Sequence, residues 1–121
     1  LAEPTTMDEG MEIIRQFVEQ DMAGDNKTIG IACSTDLMSE SSSTYGVDPI
    51  FTEMGSMPGK WILQDDGSVV YGSVTSQTRD ALAYLHELYE NGIIDSRFLL
   101  RKTENLDQMI ADGFWKMVGT E

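Results

Sequence analysis

Two β-forming runs, Trp61-Ile62-Leu63-Gln64 and Val69-Val70-Tyr71, flank Asp65-Asp66-Gly67-Ser68. Glycine accepts positive φ, so an Asp-Gly pair between such runs predicts a β-hairpin. On either side of it the apolar period is that of a helix. Met7, Met11, Ile14 and Val18 recur at helical spacing upstream, with Phe17 beside them, and Ala81, Leu82, Leu85, Leu88 and Tyr89 form a second stripe downstream. A hairpin set between amphipathic helices points to helices layered on a sheet, in an α/β or α+β arrangement.

The helix ends can be read from their chemistry. Thr6 is placed to cap the amide of Glu9 while Glu9 reaches back to the Thr6 amide, a capping box. Asp8 and Glu9 suit the positive end of the helix dipole. The first helix is expected over 7–21, stopped near Gly24. The second opens at Thr75 or Ser76 and ends before Gly92, a suitable left-handed C′ residue. A third is expected over 104–112, ended by Gly113, with a closing strand at 114–118. The apolar run 29–33 reads as a buried strand. The stretch 34–59 carries Gly46, Pro49, Gly55 and Pro58 and little periodicity, so it reads as a long loop, of the kind that is usually functional or mobile.

The totals bound the function. At 121 residues the chain is one domain, 1–121, with ordinary apolar (40%) and charged (24%) content. A net charge of −13 repels polyanions, which excludes nucleic acid as a partner and disfavours anionic lipid. The single cysteine, Cys33, allows no internal disulfide. No stretch approaches ~18 consecutive apolar residues. The first residues lack a basic region and an apolar core of a leader, so the chain is expected to be either cytosolic or a piece of something longer.

Four stretches together resemble extracellular solute-binding proteins of family 1. Pro4-Thr5-Thr6-Met7-Asp8-Glu9 is similar to that family's P-x-T-W-D-E helix start, with Met7 in place of the usual tryptophan. Trp61 followed by Asp65 to Gly72 resembles its W…DGKVVYG hairpin. The run from Ala81 to Asp95 resembles its ALKYLNKLYKEGLID helix and exit. Gly113-Phe114-Trp115-Lys116-Met117 stands where the family has GK-x-A/G-M. The order and spacing are closest to the lipoprotein subgroup of Gram-positive bacteria, from Pro4 to about Val118. Family members often carry a calcium-loop-like Asp-Pro-Asn-Gly-Asn-Gly-Lys-x-Asp run after the first helix. Here 21–28, with Asp21 and Asp25 its only carboxylates, is shorter and offers few of the six to eight oxygens a hard cation takes.

The resemblance implies one lobe of a type II periplasmic-binding-protein-like fold, with helices packed on a small mixed sheet and a β-hairpin. It implies the second lobe of a longer, two-lobed protein that closes on an extracellular solute, a carbohydrate and in particular an oligosaccharide, and delivers it to an ABC permease. It further implies a membrane anchor through an upstream lipid-modified cysteine, no enzymatic activity and no cofactor. A severed lobe exposes apolar surface where lobe one belongs, which opens a route to dimerisation.

Aromatic rings stack on sugar faces and a few polar groups orient the solute. Trp61, Tyr45 and Phe51 are the candidate ring contacts, and Asp48 the candidate acceptor for solute hydroxyls. For each there is a plainer structural alternative: hairpin core for Trp61, loop packing for Tyr45 and Phe51, solvated loop charge for Asp48. Asp65 and Asp66 read as turn formers rather than a glycosidase pair. His86 falls off the leucine stripe, four residues before Glu90, and reads as a surface residue. Cys33 reads as a buried structural thiol. The polar run 39–44 lacks the Gly-Lys of a phosphate loop. With a lone histidine there is no zinc ligand set. An alternative function is a stand-alone protein-interaction domain using 34–60, where Met38, Met54 and Met57 would supply a pliable apolar surface.

Overall fold

The computed structural model describes residues 2–24, 26, 28–38 and 45–112. The run 39–44, the Gly113 stop, the closing strand at 114–118 and Trp115 lie outside the described residues. Within them the chain is mixed α and β: α1 (Met7–Glu19), α2 (Asp48–Glu53), β1 (Trp61–Leu63), β2 (Val69–Tyr71), α3 (Ser76–Glu90) and α4 (Thr103–Ala111), with 3-10 turns at Gly72–Val74 and Phe98–Leu100.

The N-terminus of α1 follows the expected chemistry with one shift. Thr6 Oγ1 accepts from the Glu9 amide at 3.2 Å. Glu9 reaches one residue further back than expected, to the Thr5 amide at 2.8 Å and the Thr5 hydroxyl at 2.9 Å. These bonds hold the Glu9 carboxyl below its usual range. The helix ends at Glu19, before the expected 21, because Asp21 takes a positive φ of 45°. Its carboxylate then accepts from the Asn26 amide and from the Thr28 hydroxyl and amide, closing the loop on itself.

Helix α3 is capped by Thr75, whose hydroxyl accepts from the Thr78 amide, and ends in a Schellman motif. Gly92, at φ 73°, donates to the Tyr89 carbonyl and Ile93 to the Leu88 carbonyl. That turn delivers Ile93 and Ile94 into the core as α3 stops. There the run 29–33 meets them, but not as the expected strand. Ile31 pairs with Ile94 in a lone parallel bridge, because the chain leaves for the 3-10 turn at Phe98 directly afterwards. The described sheet is therefore a two-stranded antiparallel ribbon, β1 with β2, and not a small mixed sheet.

The stretch 34–59 also departs from the loop expectation. Pro49 stands in the first turn of α2 and Asp48 at its start, both favourable there, and the six-residue helix buries Ile50 and Phe51. The core lies between α1, α2, α3 and the Ile31–Ile94 bridge, and includes Met11, Cys33, Val47, Phe51, Ala81, Leu85 and Leu88. Helix α4 carries Leu106 into a fully buried position and is tied back by Tyr45, whose hydroxyl donates to Asp107.

Candidate functional site

The ribbon presents the most exposed aromatic ring among the described residues. Its register sets Trp61 opposite Tyr71 and Leu63 opposite Val69. Side chains two apart on a strand share a face, so these four lie together, and Ile62 and Val70 point the other way. Trp61 is 73% exposed, Leu63 73%, Val69 57% and Tyr71 38%. The rings of Trp61 and Tyr71 sit with centroids 5.0 Å apart and planes at 44°. Of the two readings of Trp61, hairpin core is the one its exposure disfavours.

The ribbon is held by local chemistry at both ends. At the tip, Gln64 donates to Ser68 and Gly67 to Gln64, with Gly67 at φ 83°, which makes a three-residue loop. Asp66 accepts from the Ser68 amide and hydroxyl, and these bonds hold its carboxyl below the usual range. Asp65 and Asp66 thus belong to the turn. At the base, Gly72 donates to the Lys60 carbonyl at 2.7 Å. The Gly72 carbonyl accepts from the hydroxyls of Thr75 and Thr78, and Thr78 shares a further bond of 2.6 Å with buried Ser56. This hydroxyl cluster joins the ribbon to the start of α3 and the end of α2.

The other expected contact residues are placed apart from Trp61. Tyr45 is 7% exposed and Phe51 3%, so both rings pack in the core and leave little surface for a solute. The hydrogen bond to Asp107 is the main reason the Tyr45 hydroxyl is pushed up to about 12, with burial and the Asp107 charge adding to it. Asp48 is half-buried at the first turn of α2. Cys33 is fully buried, and burial, aided by the Asp95 charge, pushes its thiol up to about 11. His86 is exposed and lies 3.7 Å from Glu90. Met38 and Met54 pack against the core, while Met57 is exposed. No group of three or more His, Cys, Asp or Glu residues among those described is arranged to hold a metal.

Sequence reasoning missed four features. Tyr71 is the partner ring of Trp61, a pairing that hairpin register alone could have supplied. Asp95, 5% exposed, accepts from Arg101 Nε at 2.8 Å and from the Arg97 amide at 3.0 Å. A spacing of six residues outside any helix gives no periodic signal for that pair. Beside it runs an open groove of about 600 Å³, between Asn26, Thr28 and Ile29, the exit of α3 and Met109 of α4. A smaller groove of about 450 Å³, floored by Met7, Ile50, Met54 and Tyr84, separates α1, α2 and α3.

No helix among the described residues is long and apolar enough to cross a membrane. No family model and no solved structure matches the chain. It is similar to the polygalacturonan/rhamnogalacturonan-binding protein YtcQ of Bacillus subtilis (strain 168), with 26% identity over 115 residues that cover 93% of this chain. The chain spans about a fifth, 22%, of that protein's length.

Proposed function

We propose that this chain is a segment of an extracellular solute-binding protein of family 1 that captures a carbohydrate, in particular an oligosaccharide, and hands it to an ABC permease. The observation that carries this reading is the match along 93% of the chain to a protein named for binding polygalacturonan and rhamnogalacturonan. On this reading residues 1–121 form the second lobe of a two-lobed, type II protein, anchored outside the cell through an upstream lipid-modified cysteine. The lobes close on the solute as a hinge.

The ribbon supplies the contact surface. Trp61 and Tyr71 offer ring faces to a sugar, and Leu63 and Val69 extend the apolar floor. The role is binding rather than catalysis, since the adjacent carboxylates Asp65 and Asp66 are part of a turn. A single lobe presents half a cleft, so the 121-residue chain alone binds sugar weakly or not at all.

The test is titration calorimetry of the parent protein with oligosaccharides. Trp61→Ala is expected to weaken binding roughly tenfold, as loss of an aromatic anchor commonly does, with little change in melting temperature because the ring is exposed. A parent protein that binds no saccharide, or a Trp61→Ala variant with undiminished affinity for the sugars it does bind, would remove the ribbon from the site.

A further inference from the structure

The chain carries −13 net charge, yet three of its eight basic residues, Arg97, Arg101 and Lys102, fall within six positions. Two of these, Arg97 and Arg101, line the groove of about 600 Å³ beside α4. Its volume lies within the range of small-molecule sites.

The groove wall is ordered by Asp95. One carboxylate oxygen accepts from the Arg97 amide and the other from Arg101 Nε, which draws the chain into a tight bend and fixes the stem of Arg101. The wall's own negative charge is thereby offset by Arg101. The Arg97 guanidinium makes no hydrogen bond or ion pair among the described residues. It remains a planar fork of donors at the edge of the groove, the geometry that matches a carboxylate with two parallel bonds. Ser96 and Met109 also line the groove, whose surface is part polar and part apolar.

The geometry points to an anion subsite in this groove, in which Arg97, supported by Arg101, takes the carboxylate of an acidic sugar, a uronate, while neighbouring polar groups meet its hydroxyls. The sugar part of the assignment rests on the carbohydrate reading above; the charge part does not. On a surface this acidic, an anionic ligand needs a local cationic foothold, and here one borders a groove.

Arg97 and Arg101 both belong to this chain, so the 121-residue protein keeps the cationic foothold and is expected to bind weakly, within reach of an amide-shift titration. Its isotope-labelled form is titrated with trigalacturonate, with the neutral galactose trimer and with inorganic phosphate, followed by amide shifts. Trigalacturonate is expected to move the amides of 94–97, the neutral trimer is not, and phosphate is expected to bind at least about tenfold more weakly. Arg97→Ala should weaken trigalacturonate binding about tenfold, the effect of losing charge-assisted hydrogen bonds, and Arg97→Lys should restore only part of it. Equal binding of the neutral trimer, phosphate binding as tight as the uronate, or an Arg97→Ala variant with unchanged affinity would each overturn the assignment. Sugar binding by the parent protein that depends on Trp61 and ignores Arg97 would overturn this inference alone. Uronate binding that depends on Arg97 while Trp61→Ala is silent would support it and overturn the ribbon site.

Discussion

Cys33 and Tyr45 both sit where a negative charge is unwelcome. The thiol is desolvated and faces the Asp95 charge, and the phenol donates to the Asp107 carboxylate. Their folded values, about 11 and about 12, lie above the ordinary 9.0 and 10.0. The folded chain therefore keeps protons that the unfolded chain releases, and stability falls as pH rises through that window. Thermal melts are expected to show a steady drop in Tm from pH 9.0 toward about 12, with the slope between 9.0 and about 11 reduced in Cys33→Ala. A flat Tm across this range would contradict the desolvated thiol and the hydrogen bond from Tyr45 to Asp107. The same two residues show how far residue type carries. An apolar run around Cys33 was enough to read it as buried. Tyr45 and Phe51 belong to types that serve cores and sugar sites equally, and only contacts with distant α3 and α4 decide between them.

Elements long enough to repeat a period were legible in the sequence: α1, α3, α4 and the hairpin. Helix α2 was not, because six residues make fewer than two turns and leave no stripe to recognise. Its buried pair, Ile50 and Phe51, is adjacent rather than spaced three or four apart. The run 29–33 misled in the opposite way. Its apolar character reflects burial of Gly30 and Cys33 against α1 and the α3 exit, while strand pairing extends to a single residue. The junction between ribbon and α3 was equally hidden, and Gly72 there has the closest neighbour to an added side chain among the described glycines compared. A methyl group added at Gly72 would lie 1.9 Å from the Met57 carbonyl oxygen, a backbone atom with no room to yield. Gly72→Ala is expected to cost about 3 kcal/mol in urea unfolding. Gly59→Ala, at φ 75° but in open space, should cost about 1 kcal/mol, the penalty of the left-handed region alone. Equal costs at the two positions would mean that the junction relaxes freely.

At the scale of the molecule, a helical core carries a ribbon whose outward face is apolar and uncovered. All six ribbon residues, Trp61 to Leu63 and Val69 to Tyr71, are apolar or aromatic, so both faces of the ribbon are apolar and nothing in the pattern says which is covered. The groove beside Arg97 was less legible still, since it is assembled from Asn26, Thr28 and Ile29, the exit of α3 and Met109 near the end of α4, which have no common motif. The exposure of Trp61 has a spectroscopic consequence. An indole in contact with water emits at long wavelength, and drying it moves the emission toward the blue. With Trp115 replaced by phenylalanine, Trp61 becomes the single indole of the chain, excited apart from its four tyrosines at the red edge of the absorption band. Any ligand that lies down on the ribbon will then announce itself as a change of colour, without a label, and one that enters the Arg97 groove will leave the spectrum as it was.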